Sequence, residues 1–166
     1  HLIGIGTSTL ISRKLGKNDT EEVNAIAGNG FLLIILVGIF FSTIGLLFTD
    51  PIMRAFGATE TILPYAHDYG QIVFIGMLWF PFCVGTNNYL RAEGFAREAM
   101  FAMLLGIVVN TILDYIFIFP LDMGIRGAAL ATTLGKFTTL LYLIRHFNSS
   151  KGIIYIKLRY FRLQKH

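Results

Sequence analysis

Long apolar runs alternate with polar and charged connectors along this chain. The four longest runs cover residues 31–48, 69–90, 99–121 and 127–144, and the charged residues within them are Asp114 and Lys136. A helix needs ~20 apolar residues to cross a bilayer core of about 30 Å, whereas a transmembrane β-strand alternates over about ten residues. The pattern therefore predicts an all-α polytopic membrane protein.

A shorter apolar stretch, HLIGIGTSTLIS, opens the sequence. It is too short to span a bilayer and has no Lys or Arg ahead of its apolar part, so it lacks the pattern of a signal peptide. We interpret it as the trailing half of a membrane helix whose beginning is missing, which would make the chain a fragment of a longer protein. In the second long run, Pro81 predicts a kink that could serve as a hinge.

Composition agrees with a bilayer protein. Hydrophobic residues make up 54% of the chain and charged residues 14%, whereas soluble domains are about 25% charged. Cys83 is the single cysteine and the four histidines, at positions 1, 67, 146 and 166, are scattered. No Gly-rich phosphate loop or nucleophile elbow occurs. The sequence thus predicts neither an enzyme nor a cofactor, and no metal site beyond a possible Na⁺ at Asp114.

The basic residues predict the orientation, because short cytoplasmic connectors hold an excess of Lys and Arg. If the connector after the opening stretch is cytoplasmic, only Arg54 and Arg126 lie outside, and Lys136 lies within a run. The remaining basic residues are then cytoplasmic: Arg13, Lys14, Lys17, Arg91, Arg97, Arg145, Lys151, Lys157, Arg159, Arg162 and Lys165. This orientation predicts a multi-pass protein of the cell inner (plasma) membrane. The net charge of +4 then reflects topology and contact with lipid headgroups rather than nucleic acid.

Two cytoplasmic segments have their own patterns. In SRKLGKNDTEE, Gly16 is expected to end the first helix, and Asn18 or Asp19 to cap the next. The tail, NSSKGIIYIKLRYFRLQKH, interleaves apolar, aromatic and basic residues. That interleaving is typical of an amphipathic segment lying on the membrane surface.

Asn110 and Asp114 are the strongest candidates for chemistry. They are four residues apart, so they share one helical face and could bind the same small cation or proton network. Asp114 should lie about 10 Å from the outer end of its helix, and a carboxylate at membrane depth is rarely kept without a function. The alternative is structural: Asp114 is a helix-end residue that reaches the headgroups or pairs with Arg126.

Three further polar residues have both a functional and a structural interpretation. Lys136 lies near the middle of the last run, where it could act as an accessory counter-ion or simply face a cytoplasmic cavity. Thr132, one turn earlier, could offer its hydroxyl to a ligand or bond its own backbone. Tyr69 begins the second run, where an aromatic belt alone would explain it.

Four stretches resemble the multidrug and toxic compound extrusion (MATE) family of secondary transporters. In chain order they are ISRKLGKND, DPIMRAFGATETILPYAHDY, NTILDYIFIF and MGIRGAALATTLGK. The resemblance covers nearly the whole chain. It implies a twelve-helix transporter of two six-helix lobes, and it agrees with the orientation inferred from charge.

The resemblance also implies a domain layout. Residues 1–147 would belong to the N-terminal lobe: 1–12 the end of helix 2, 24–49 helix 3, 62–91 helix 4, 97–120 helix 5 and 125–147 helix 6. Residues 148–166 would form the cytoplasmic connector between the lobes. Helix 1 and the C-terminal lobe would be missing partners within the same protein.

The family's cation or proton site maps onto this chain residue by residue. The resemblance implies that Asn110 and Asp114 supply the helix 5 pair, that Thr132 supplies the helix 6 hydroxyl, and that Tyr69 lies nearby. The family's helix 1 aspartate has no counterpart here. Lys136 departs from the family pattern, because many relatives have a neutral residue there.

The sequence therefore predicts a secondary antiporter that exports organic cations or drugs in exchange for H⁺ or Na⁺. Its partners would be membrane lipids and a small cationic or amphipathic substrate. Two alternatives stay open: a lipid-linked glycan flippase of the same superfamily, and a non-transporting membrane scaffold. A flippase would be expected to have several basic residues in its cavity, and a scaffold would not need Asp114.

Overall fold

The computed structural model describes residues 2–17 and 20–148, and this part of the chain contains helices and no strands. The all-α prediction is confirmed. The described helices are α1 Leu2–Leu15, α2 Thr20–Leu47, α3 Thr49–Ala55, α4 Leu63–Gly76, α5 Phe80–Ala92, α6 Ala96–Ile118 and α7 Gly124–Asn148. The proposed cap at residues 18–19 and the tail at 149–166 lie outside the described residues.

Up to four membrane spans are present by length and composition. α2, α6 and α7 are each long and apolar enough to cross a bilayer, and α4 with α5 forms a further span bent by 42°. These helices run alternately up and down. We call the end that holds Lys14, Arg91 and Arg145 the basic end, and the end that holds α3 the opposite end.

The bend between α4 and α5 has a local cause in the sequence. Pro81 has no backbone N–H, so the carbonyl four residues earlier, that of Met77, loses a helical hydrogen bond. The helix is interrupted at residues 77–79. The carbonyl oxygens of Met77 and Leu78 lie against α2 at Gly38, each 3.0 Å from where a Cβ of that residue would lie. A side chain at Gly38 would therefore require the broken turn or α2 to shift by a few tenths of an ångström.

The core lies toward the basic end, around α5. Phe31 of α2 packs on Phe82, Tyr89 and Phe147, with ring centroids 5.1, 4.9 and 6.3 Å apart. All four residues are buried. α5 is thus the central helix of the described bundle, which places its other buried polar residues between the surrounding helices.

α6 lies at the edge of the bundle. Its buried residues are Ala99, Ala102 and Gly106, whereas Phe101, Val108 and other large apolar residues along it are more than half exposed. A surface of this kind is typical of a helix that faces lipid or further helices.

Polar side-chain contacts join the segments of the opposite end. Asp50 of α3 contacts His67 of α4 at 2.5 Å, and Asp68 of α4 contacts Arg126 of α7 at 2.5 Å. The short helix α3 is not indicated by the apolar pattern of the sequence. It lies between two of the predicted spans and contacts α4 through Asp50 and His67.

Candidate functional site

The polar contact at membrane depth joins α6 to α7. The side-chain amide of Asn110 donates a hydrogen bond of 3.4 Å to the hydroxyl of Thr132. These residues are 22 positions apart in the sequence, and the turn between α6 and α7 makes the two helices antiparallel neighbours. The structure thus brings together two of the four residues singled out as cation or proton ligands.

Glycines allow this contact by letting the two helices approach closely. A Cβ at Gly135 would lie 2.8 Å from the Cβ of Asn110 and 2.8 Å from the carbonyl oxygen of Gly106. A Cβ at Gly106 would clash with the hydroxyl of Thr139. Since real Cβ contacts under 3.0 Å require a shift of the structure, side chains at either position would force the helices apart.

Asp114 lies one turn further along α6 than Asn110, on the same face. Its side chain is partly buried, and among residues 2–17 and 20–148 nothing forms a hydrogen bond or ion pair with it. The proposed pairing with Arg126 is wrong. The Arg126 guanidinium instead donates two hydrogen bonds to Asp68, of 2.8 and 2.5 Å. An acid without a partner in the described bundle has its oxygens available for a cation or a proton.

Tyr69 and Thr132 line one cavity of about 200 Å³ beside the broken span. Trp79 and Lys136 contribute to its wall, and the indole of Trp79 donates a hydrogen bond of 3.3 Å to the carbonyl of Thr133. The side chain of Tyr69 is 41% exposed. Asp114 is not among the residues that line this cavity. The cavity therefore connects α4 to the Thr132 side of the polar pair.

Lys136 lies between this cavity and a second one nearer the basic end. The second cavity has a volume of about 270 Å³, and Arg91 also lines it. The Lys136 ammonium lies 5.6 Å from the ring centroid of Phe80, and no described carboxylate pairs with it. Lys136 therefore lines both cavities, and its exposure to the cytoplasmic side stays a prediction.

The apolar pattern of the sequence indicates Arg91 only as a cytoplasmic charge and does not predict its place in this cavity. The signal that could have found it is the spacing of Cys83, Asn87 and Arg91. Residues four apart lie on one face of a helix, and all three line the second cavity.

The described residues contain no group of three or more His, Cys, Asp or Glu side chains suited to a metal ion. Asp114, Asn110 and Thr132 each carry a side-chain oxygen. Oxygen ligands of this kind are chemically suited to a hard cation.

Apolar spans, one of them broken, and a polar contact between two of them are features of an α-helical membrane protein. The MatE family model matches residues 1–116, and the chain belongs to this family.

Relatives with assigned names include transporters. The chain is 29% identical over 153 residues to the FAD transporter of Shewanella oneidensis, covering 87% of this chain and 34% of that protein. It is 27% identical over 159 residues to the multidrug export protein MepA of Staphylococcus aureus, covering 96% of this chain and 35% of that protein. The chain therefore spans about a third of the length of these curated relatives.

Solved structures give the same result for the fold. The chain superimposes on MATE in the bent conformation with a TM-score of 0.92 at 32% identity, over 98% of this chain and 37% of that one. An inward-facing multidrug resistance MATE family transporter matches with a TM-score of 0.91, also at 32% identity, over 98% and 37%.

Proposed function

We propose that this chain forms part of a longer secondary antiporter, which exports organic cations or other amphipathic drugs in exchange for H⁺ or Na⁺. Residues 1–147 would belong to its N-terminal lobe and residues 148–166 to the connector between lobes. Family membership and the name of the MepA relative support export as the activity. A bacterial exporter with this orientation would reside in the inner (plasma) membrane.

The observation that carries the proposal is the contact between Asn110 and Thr132, one helical turn from a partly buried Asp114 without a described partner. Together these side chains offer a carboxylate, an amide oxygen and a hydroxyl at membrane depth. Loading a proton or Na⁺ there neutralises a charge that is costly to keep inside a bilayer.

Coupling follows from a difference in affinity. A bound ion shifts the balance between outward-open and inward-open states only as far as it binds one state more tightly. In our proposal the ion binds Asp114, Asn110 and Thr132 in one state, and Tyr69 closes that side of the site. Exchange of this ion for substrate then drives export, and the bend at Pro81 acts as the hinge.

The test compares Asp114→Asn with wild type in a full-length transporter that contains this chain. In proteoliposomes with an imposed pH or Na⁺ gradient, we expect wild type to export a fluorescent cationic dye and Asp114→Asn to lose gradient-dependent export. Asn keeps the size of the side chain but cannot be ionised. The ion whose gradient drives export would be identified as the coupling ion.

Asp122→Asn is the matched control. Asp122 is an exposed carboxylate in the turn between α6 and α7, and its positive φ of 48° is one that Asn adopts readily. The control should export dye like wild type. Equal export by Asp114→Asn and wild type would contradict the assignment of Asp114 as the coupling residue.

A further inference from the structure

The second cavity has a distinctive charge pattern. It lies among α1, α5, α6 and α7, its wall includes both Lys136 and Arg91, and none of its lining residues is an acid. A cavity that binds organic cations for export would be expected to present acidic or aromatic groups, because both attract a positive charge at close range. This one presents two cations.

Both cations also lack an acidic partner. Lys14, Arg54 and Arg126 each pair with a carboxylate, of Glu22, Glu60 and Asp68 respectively. Lys136 and Arg91 form no ion pair with any residue in 2–17 or 20–148, and the contact of Arg91 is with the sulfur of Met103, at 3.5 Å. Their positive charges are thus not neutralised within the described bundle.

The two charges are held at different depths. The cavity is long enough for this difference in depth. It extends along α5 from Cys83 to Arg91, and these residues lie eight positions apart, which is about 12 Å along the helix axis. Arg91 is exposed near the basic end, whereas Lys136 is partly buried in the middle of α7. A ligand entering from the basic end would meet the guanidinium first and the ammonium further in.

Neutral polar groups also line the cavity, beside apolar residues such as Val84 and Ile107. The side chain of Asn87 donates its amide to the carbonyl of Ala99 at 2.9 Å, so its orientation is fixed. Asn88 forms no hydrogen bond with the described residues and lines the same cavity. Its amide can therefore donate to an anionic oxygen beside the two cations.

From these observations we infer that the cavity between α1, α5, α6 and α7 binds a phosphate or carboxylate group at Lys136, with Arg91 as the cation that the group meets first and Asn88 as a neutral donor. The group could belong to a soluble amphipathic anion or to an anionic phospholipid headgroup, since both offer oxygens that pair with Lys and Arg. This inference goes beyond the proposed ion coupling, and rests on the proposed function only in placing the cavity within a transporter.

The experiment measures binding rather than transport, on the full-length transporter that contains this chain, in phosphatidylcholine nanodiscs. To test for a soluble anion, carboxyfluorescein is titrated with the transporter, and binding is measured by fluorescence polarisation. To test for a lipid headgroup, phosphatidylglycerol is added to the nanodiscs. Native mass spectrometry then counts the phosphatidylglycerol molecules that stay bound to the protein after extraction. The variants are Lys136→Gln, Lys136→Arg and Arg91→Gln. Lys17→Gln is the control, because Lys17 is an exposed lysine at the same end of the bundle.

We expect Lys136→Gln to weaken carboxyfluorescein binding by about tenfold or more, the usual effect of losing a hydrogen bond to a charged group. Lys136→Arg and Lys17→Gln should bind like wild type, and Arg91→Gln should show a smaller loss. Unchanged dye binding with loss of retained phosphatidylglycerol in Lys136→Gln would identify a lipid headgroup as the ligand. If neither probe distinguishes Lys136→Gln from wild type, the inference is wrong.

Asp114→Asn separates this inference from the proposed function. It should keep anion binding while losing gradient-dependent export. Export that survives in Asp114→Asn together with anion binding that depends on Lys136 would refute the coupling proposal and leave the anion site standing. Loss of gradient-dependent export in Asp114→Asn, together with anion binding that does not depend on Lys136, would support the coupling proposal and refute the anion site.

Discussion

Single residues determine where the polar groups of this bundle meet. Asn110 and Thr132 come into contact because glycines at 106 and 135 let two backbones approach. Without a hydrophobic force between helices in lipid, such close packing of small residues is a main source of association. Gly106 and Gly135 are therefore part of what brings Asn110 and Thr132 together.

Gly135→Ala tests this dependence. The added methyl group would lie 2.8 Å from Asn110 and from the carbonyl of Gly106, and overpacking of this kind typically costs about 1–3 kcal/mol. We expect a lower midpoint of thermal unfolding in detergent and weaker ion-coupled export. Gly6→Ala is the matched control, since a Cβ at Gly6 meets nothing within 4 Å. A shift equal to that of the control would show that α6 and α7 do not need this close approach.

Among the elements, the positions of the long spans were predictable from the sequence. The face that each helix turns toward its neighbours was not. Hydropathy alone placed apolar runs where α2, α6, α7 and the α4–α5 pair lie. Runs that are apolar on all sides do not indicate which face meets which neighbour. The sequence therefore predicted Asn110 and Asp114 on one face but missed that Arg91 shares a cavity with Lys136, 45 residues away.

Single proline and glycine residues predicted local breaks in the helices, whereas a short helix and a distant ion pair were not predictable from the sequence. Pro81 predicted a kink, and the interruption occurs at 77–79, just before it. Gly16 was expected to end the first helix, and α1 does end at Leu15. The helix α3 has seven residues, too few for periodicity to be visible. The ion pair of Asp68 with Arg126 joins residues 58 positions apart, which only tertiary packing reveals.

Pro81→Ala tests the role of the broken span. Alanine restores the N–H that can bond the carbonyl of Met77, so α4 and α5 should become straighter and the export rate should fall. Distances between spin labels at Tyr65 and Arg91 would increase accordingly. Pro64→Ala is the control, because Pro64 lies in the first turn of α4, where a missing N–H costs little. Unchanged distances in Pro81→Ala would show that packing against Gly38 alone maintains the bend.

For the whole molecule, the charges at its two ends predict a topology. Arg13, Lys14, Arg91 and Arg97 lie near the basic end, whereas Arg54 and Arg126 lie at the opposite end in ion pairs with acids. An excess of basic residues marks the cytoplasmic side. The opposite end, with α3 and its paired charges, is then expected outside the cell.

Labelling with a membrane-impermeant maleimide tests this topology in intact cells. Thr61→Cys at the opposite end should react directly, and Arg97→Cys should react only after the cells are permeabilised. Both positions are exposed, and the natural Cys83 is 5% exposed, which keeps the background low. The reverse labelling pattern would invert the orientation of the bundle.

The hairpin of α6 and α7 has a consequence for biosynthesis. Asn110 and Thr132 are close in sequence, and contacts that are local in sequence form early and quickly. The cavity that unites Tyr69 with Thr132 instead depends on α4 meeting α7, 63 residues apart. During synthesis, the polar pair can therefore assemble as soon as α7 enters the bilayer, without waiting for α7 to pack against α4.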